Sequence, residues 1–264
     1  MPAFHDFTHA IVRRPARSVV RGLRAGGGPD PSFAGVADEH AAYAAALVAA
    51  GVAVTMLPPL EAFPDSIFVE DAALVFPEGA ILLRPGAQSR AGEVAAIAPA
   101  LEDKFDAVLA LEEGFADGGD ILATPSRVII GLSARTDKTG AEALTRLLAQ
   151  FGRRALIAET PADVLHFKTD CALIDEETVL TTPRLSRTGV FKGFREILTP
   201  AGEDAAANAL RVNGALFVGA AFRRTIDTLA RAGFEVAPLP VAEIGRLDAG
   251  LSCLSLRWRS LALA

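Results

Sequence analysis

The chain is poor in cysteine, histidine and tryptophan. Its 264 residues include two cysteines, four histidines and one tryptophan. Two cysteines cannot form a disulfide framework in a chain of this length, which favours a reducing compartment. The histidines are scattered without the spacing of zinc ligands, and no glycine-rich phosphate loop is present. These absences argue against a zinc site and against a nucleotide-binding loop.

Basic stripes and long apolar runs are also missing. The net charge is -6 and the pI is about 5.3, so nucleic acid is not expected as a partner. No apolar run approaches the roughly 18 residues that suggest a membrane span. Residues 1–6 lack the pattern of a signal peptide. We therefore expect a soluble, cytoplasmic protein, and its hydrophobic content of 51% is ample for a large core.

The sequence does contain a repeat of short hairpins. Segments 71–84, 120–131 and 170–181 each show a hydrophobic strand, a tight polar turn and a second strand. A fourth segment, 208–218, turns at Asn213 and Gly214, the strongest short hairpin signal. The starts recur every 38 to 50 residues, and a further step of 44 residues reaches Ser252. That fifth hairpin lacks its second strand, which residues 8–13 could supply.

A helix followed by a strand recurs between the hairpins. The pattern is clear at 40–57, 141–158 and 224–239, weaker at 93–111, and least regular at 184–203, where 194–198 is the candidate strand. About five repeats of this period are typical of a solenoid or a propeller-like ring. Pairing of the two chain ends favours a closed ring over an ordinary α/β sheet. No linker divides the chain, so we expect a single domain over residues 1–264.

Chemically reactive side chains stand at or just before the first strand of each repeat. They are Asp65, Glu70 and Asp71, then Asp117 and Asp120, then His166 and Asp170, and finally Asp248 and Cys253. In a ring, equivalent strands point their ends at the axis, so these residues are expected to converge. The alternation after Cys253 predicts that this residue opens a strand beside a turn at Gly250. A thiol, an imidazole and an acid are the groups of nucleophilic catalysis.

Each candidate also has a purely structural interpretation. Cys253 could be a small buried apolar residue, and His166 a hydrogen-bonded core histidine. Asp117, followed by two glycines, could form only a turn. Cys171 lies inside a hydrophobic segment and is expected in the core.

Two pairs of charged residues indicate what the site binds. The adjacent carboxylates Glu70 and Asp71 at the mouth of a buried site imply a cationic ligand, and a planar guanidinium pairs best with carboxylates. Arg90 and Arg135 follow second strands at matching places and could hold a substrate carboxylate. A cation at one end and a carboxylate at the other describe an arginine-like amino acid.

As a set, these motifs resemble the dimethylarginine dimethylaminohydrolase family. The matching segments are 64–71, 84–90, 117–122, 131–136, 165–166 and 248–253, and the match covers nearly the whole chain in order. The family belongs to the guanidino-group-modifying superfamily, with arginine deiminases and amidinotransferases. The resemblance implies a five-bladed α/β propeller of ββαβ-type units with pseudo-five-fold symmetry. It also implies hydrolysis of Nω-methylated arginines to citrulline plus dimethylamine or methylamine, without a cofactor or metal.

The same resemblance implies roles for individual residues. Cys253 would attack the guanidinium carbon and form a covalent thiouronium, His166 would protonate the departing amine and then activate water, and Asp117 would orient His166. Some relatives carry Glu in place of Asp117, and either acid can orient an imidazole. The substrate contacts would be Glu70 and Asp71 on the guanidinium nitrogens, Asp65 at or near the α-amino end, Arg90 and Arg135 on the α-carboxylate, and Leu23, Leu247 and Asp248 around the pocket. Residues 26–28 suit a mobile flap.

Several alternatives stay open from the sequence. The chain could be an arginine deiminase-like enzyme or another guanidine hydrolase, although it has no room for the helical insertion of the deiminases. It could also be a non-catalytic binder of arginine-like ligands, which would have no need of the thiol. The preferred methylated guanidine is open, as is the choice between monomer and homodimer. Carboxylates around Cys253 should raise the resting pKa of its thiol, which favours a thiolate formed only when the cationic substrate arrives.

Overall fold

Five separate sheets of three strands each make up the fold. The computed structural model describes residues 3–25 and 28–260. The strands are β1 His9–Arg13, β2 Ala53–Leu57, β3 Ala73–Phe76, β4 Gly79–Leu82, β5 Val108–Ala110, β6 Ile121–Ala123, β7 Val128–Leu132, β8 Ala155–Glu159, β9 Cys171–Leu173, β10 Thr178–Thr181, β11 Arg195–Leu198, β12 Leu210–Val212, β13 Ala215–Gly219, β14 Val236–Leu239 and β15 Leu256–Trp258. In every sheet an inner strand runs antiparallel to a middle strand, which runs parallel to an outer one.

Helices connect the middle and outer strands. They are α1 Phe33–Ala49, α2 Ala91–Glu102, α3 Lys138–Gln150, α4 Pro183–Ser186 and α5 Arg223–Arg231, with a short α6 Ala242–Gly245 before the last strand. Ser32 and Asp137 cap α1 and α3 by accepting backbone N–H groups of the first turn. Glycines with positive φ follow α1, α3 and α5, where the sequence predicted the helices to stop. The sheet of β9, β10 and β11 has only the four-residue α4, which explains the irregular pattern of segment 184–203.

The two ends of the described chain meet in one sheet. Strand β1 pairs antiparallel with β15, with His9 opposite Trp258, and parallel with β2. The rings of His9 and Trp258 stack with their centroids 5.4 Å apart. The predicted pairing of the N-terminal strand with the last hairpin is therefore confirmed. The ring is completed by this mixed sheet, and the five sheets remain distinct from one another.

A short 3₁₀ turn precedes each inner strand. The turns are Val69–Ala72, Gly118–Asp120, Phe167–Thr169, Asp204–Ala207 and Ser252–Leu254. The expectation that Cys253 opens a strand is therefore wrong, because Cys253 lies in a turn and β15 begins at Leu256. The reason is a set of bonds between neighbouring turns. Asp71 accepts the N–H of Gly119 at 2.8 Å, Asp120 that of Phe167 at 2.8 Å, and Asn208 that of Ser252 at 3.0 Å. Backbone groups held this way are not available to a strand ladder.

Apolar clusters between the sheets and the helices hold the blades in place. In one cluster Leu144 and Leu148 of α3 pack against Ile130 of β7, all three fully buried. In another, Tyr43 and Leu47 of α1 are buried with Phe217 of β13. Across residues 3–25 and 28–260, no helix is long and apolar enough to span a membrane.

Candidate active site

A cavity of about 160 Å³ lies where the 3₁₀ turns converge. Most of the side chains that the sequence singled out border it. Its walls are Leu23, Arg24, Ala25, Asp65, Phe68, Asp71, Arg90, Arg135, Leu165, His166, Leu247, Asp248, Ala249 and Cys253. A thiol, an imidazole, acids and guanidinium groups from distant parts of the chain are thus brought to one place.

Cys253 lies in the turn before β15 and is 8% exposed. The side-chain amide of Asn208 donates to its sulfur at 3.9 Å. Burial, together with the charges of Glu70 and Asp71, raises the pKa of the Cys253 thiol to about 12. This direction is the one that the sequence suggested. The resting group is a thiol at neutral pH, and an incoming cation would favour its ionised form.

His166 is held by a buried acid. Its Nε2 lies 3.1 Å from Oδ2 of Asp117, which is completely buried. Asp117 is fixed in turn, because its Oδ1 accepts the N–H of Gly86 at 2.7 Å. Burial lowers the pKa of His166, but the nearby carboxylates of Asp71, Asp117 and Asp120 outweigh that effect and raise it to about 9. At neutral pH the ring is therefore an imidazolium that can give up a proton.

Asp71 provides a fixed negative charge in the cavity wall. One carboxylate oxygen accepts the N–H of Gly119 at 2.8 Å, and the other bonds to Nη1 of Arg90. Burial raises the pKa of Asp71, but Arg90 and His166 outweigh burial and lower it to about 2. A carboxylate that stays charged inside a largely buried cavity is suited to a cationic ligand.

Arg90 borders the cavity but is largely bonded within the protein. Its Nε and Nη2 donate to Glu93 at 3.1 and 2.7 Å, and Nη2 also reaches the carbonyls of Asp65 and Phe68 at 3.2 and 2.8 Å. Nη1 bonds to Asp71, and its second hydrogen has no acceptor among the residues that the structure describes. Arg135 is more open, because its side chain is 20% exposed and its Nη1 lies 3.9 Å from Asp117.

The outer rim of the cavity is tied by two carboxylates. Asp65 accepts the N–H of Leu23 at 2.8 Å, and Asp248 accepts that of Ala25 at 2.5 Å. Leu23 is 38% exposed at the entrance, whereas Leu247 is buried in the wall. Burial raises the pKa of Asp65. Of the flap predicted at residues 26–28, Gly26 and Gly27 lie outside the described residues.

Glu70 does not border this cavity. Its carboxylate contacts Nζ of Lys168 at 2.6 Å, Oγ of Ser252 at 2.9 Å and Nη2 of Arg257 at 3.5 Å, and it borders a second cavity. The sequence placed Glu70 and Asp71 together on a guanidinium, but neighbouring residues of a 3₁₀ turn point in different directions. Asp120 and Asp170 also lie away from Cys253, bonded to Thr136 and Arg184.

The sequence analysis missed several groups at the site. Asn208, which touches the Cys253 sulfur, stands at the start of a repeat, and that position was the signal available for it. Glu93 holds Arg90 from three residues further along, the spacing of neighbours on a helix. Phe68 and Leu165 line the cavity and fall inside the matching segments 64–71 and 165–166, but the sequence assigned neither of them a role.

One group of side chains has a spacing that could suit a metal ion. Ligand atoms of Asp71, Asp117 and His166 lie within 4.8 Å of one another. An imidazolium has no lone pair to offer a metal, and Asp71 already bonds to Arg90. With His166 protonated and Asp71 paired to Arg90, the group is not suited to a metal ion at neutral pH.

Comparison with known proteins gives close relatives. The chain is 36% identical over 254 residues to N(G),N(G)-dimethylarginine dimethylaminohydrolase of Pseudomonas aeruginosa, covering 96% of this chain and 100% of the relative. The solved structure of that enzyme from Pseudomonas aeruginosa, a cysteine-to-serine mutant complexed with citrulline, superposes with a TM-score of 0.92 at 35% identity, covering 96% of this chain and 99% of the other. A dimethylarginine dimethylaminohydrolase adduct with S-methyl-L-thiocitrulline also gives 0.92, at 36% identity, covering 95% of this chain and 99% of the other. No protein-family model matches the chain.

Proposed function

Since the chain belongs to the dimethylarginine dimethylaminohydrolase family, we propose that it hydrolyses Nω-methylated arginines to citrulline and a methylated amine. The observation that supports this most strongly is the cavity shared by Cys253, His166 and Asp71. A nucleophile, a proton donor and a fixed anion are the three groups that displacement at a guanidinium carbon requires.

Substrate binding follows from the charges around the cavity. Asp71 pairs with the guanidinium, and Arg135 takes the α-carboxylate, with the remaining Nη1 hydrogen of Arg90 available beside it. Asp65 lies at the α-amino end. The pocket walls are completed by Leu23, Leu247 and Asp248. Glu70 acts from the far side of the wall, through the residues that it bonds, and not on the guanidinium itself.

The reaction proceeds through a covalent thiouronium. The cationic guanidinium favours loss of the Cys253 proton to solvent, and the thiolate attacks the guanidinium carbon. The C–N bond to the methylated nitrogen breaks as His166 gives its proton to that nitrogen, and the amine leaves. Neutral His166, oriented by Asp117, then takes a proton from water. The resulting hydroxide attacks the thiouronium carbon, the C–S bond breaks, and the proton on the added oxygen passes to the departing sulfur, so that citrulline and the Cys253 thiol are released.

We further propose the setting in which this reaction takes place. Residues 1–264 form a single catalytic domain, which the pairing of β1 with β15 supports. The partner is a small methylated arginine, with no nucleic acid, membrane, metal or cofactor, and the compartment is the cytoplasm. The acidic net charge of -6 supports the exclusion of nucleic acid.

The test is product analysis with asymmetric dimethylarginine and, separately, with arginine. We expect citrulline and dimethylamine from the first substrate only, and none from Cys253→Ser. The matched control is Cys171→Ser, since Cys171 is the other cysteine and lies at the start of β9 outside this cavity. Citrulline and ammonia from arginine would assign the chain to deiminase-like chemistry. Binding of either compound without turnover would make it a binder or an enzyme for another guanidine.

A further inference from the structure

A second and larger cavity lies on the other side of the turns. It measures about 330 Å³ and is bordered by residues of all five inner strands. Apolar side chains of those strands form its walls, among them Leu74, Leu122, Leu173, Leu210 and Leu256. Inner strands of three or four residues rise about 3.3 Å per residue, so the walls are about 10–13 Å long. We call this space the axial cavity.

The charges around the axial cavity are mainly positive. Five cationic side chains border it, Arg153, Lys168, Arg211, Arg257 and Arg259, against the two carboxylates of Asp6 and Glu70. The whole chain, by contrast, carries a net charge of -6. A local excess of cations in an acidic protein concentrates anions there.

Four of these five cations already have carboxylate partners. Lys168 and Arg257 contact Glu70 at 2.6 and 3.5 Å. Arg153 pairs with Glu78 at 2.8 Å, and Arg259 lies 3.8 Å from Asp6.

Arg211 on β12 differs from the other cations. Its Nε donates to the carbonyl of Asn213 at 2.8 Å, and among residues 3–25 and 28–260 it makes no ion pair. The guanidinium is partly buried, and burial lowers the pKa of Arg211. The carboxylates of Asp175 and Glu235 act on Arg211 from beyond ion-pair distance, and its guanidinium carbon lies 6.0 Å from the centroid of the Phe234 ring. A partly desolvated guanidinium with no carboxylate in direct contact can pair with an incoming anion.

We propose that the axial cavity binds an organic anion with an apolar body, of the medium-chain carboxylate class. The carboxylate pairs with Arg211, and the hydrocarbon lies along the leucines of the inner strands. This inference is independent of the proposed hydrolysis, because neither Arg211 nor those leucines border the cavity of Cys253.

Trp258 makes the binding directly observable. It is the only tryptophan of the chain and it borders the axial cavity. Titration with octanoate should give a saturable change in tryptophan emission, matched by heat in calorimetry. Each buried CH₂ contributes about fourfold in affinity, so hexanoate, which is two CH₂ groups shorter, should bind roughly fifteenfold more weakly. Octanol, which lacks the charge, should bind about tenfold more weakly as well.

Two test variants and one control keep the test decisive. Arg211→Gln should weaken octanoate binding about tenfold, while Arg195→Gln, on the exposed start of β11, should leave it unchanged. Ala123→Phe should block binding by filling the cavity, since Ala123 borders it on β6. Hydrolytic activity serves as the folding control for all three variants.

Several outcomes would overturn the proposal. One is that octanoate causes no saturable change in tryptophan emission and no heat. Another is that octanol or acetate binds as tightly as octanoate. A third is that Arg211→Gln and Ala123→Phe both bind octanoate as tightly as the unaltered protein. Competitive inhibition of methylarginine hydrolysis by octanoate would place the anion in the cavity of Cys253 instead.

Discussion

The two cavities of the ring share a wall but differ in charge and chemistry. On one side lie Cys253, His166 and Asp71. On the other side lie their close neighbours in the chain, where Ser252 and Lys168 both contact Glu70. The same three 3₁₀ turns, with His166 directly before the second of them, therefore serve both sides, and each residue's position in or beside its turn decides which cavity it meets. The comparison shows that closeness in sequence to a reactive residue does not place a side chain in the reactive site.

The largest expected contrast is between Asp71 and Glu70. Asp71→Asn removes the fixed charge beside the substrate, and we expect kcat/KM to fall by about 10³. Glu70→Gln leaves Lys168 in the wall without its carboxylate, so the free energy of unfolding should fall by about 3 kcal/mol, with a smaller loss of kcat/KM. Steady-state kinetics gives kcat/KM for both variants, and urea unfolding gives their free energies of unfolding. A larger fall in kcat/KM for Glu70→Gln than for Asp71→Asn would show that Glu70 binds the substrate guanidinium directly.

The second prediction concerns the proton on His166. If the imidazolium is the acid, kcat should fall at alkaline pH as His166 loses its proton, the pKa of which is about 9 without substrate. Asp117→Asn removes a carboxylate that raises this pKa, so the fall should move to lower pH, and kcat should drop about 10²-fold. Rate profiles of both proteins between pH 6 and 10.5 provide the measurement. A fall that stays at the same pH in the variant would assign it to another group.

The repeat and the convergence of reactive groups could be predicted from the sequence, because hairpin alternation and strand ends follow local rules. The pairing of β1 with β15 also followed, since the last hairpin lacked a partner. The direction of the Glu70 side chain could not be predicted from the sequence. It depends on a 3₁₀ turn that is fixed by hydrogen bonds between neighbouring turns, such as the bond from the Gly119 N–H to Asp71.

A third, smaller contrast compares one arginine from each cavity. Arg135→Gln removes a cation that meets the substrate carboxylate before and during the reaction, so KM should rise about tenfold with little change in kcat. Arg153→Gln, at the axial cavity, should leave both constants unchanged. Equal KM values in the two variants would remove Arg135 from the substrate contacts.

The smallest expected effect is in the chemical reactivity of the two cysteines. The raised pKa of Cys253 predicts slow alkylation by iodoacetamide at pH 7 that rises steadily with pH toward about 12. Cys171 is 1% exposed, and burial raises its pKa well above the usual range, so it should stay unmodified in the native protein. Peptide mass spectrometry separates the two sites. A plateau in Cys253 labelling near pH 7 would show a resting thiolate.

The most direct test of the account is to trap the intermediate on Cys253. The protein is mixed with asymmetric dimethylarginine, quenched in acid during turnover and analysed by mass spectrometry. We predict an increase equal to the mass of citrulline less water, located on the peptide that contains Cys253 and absent from Cys253→Ser. Steady release of citrulline and dimethylamine with no adduct at any quench time, or an adduct on another residue, would contradict nucleophilic catalysis by Cys253.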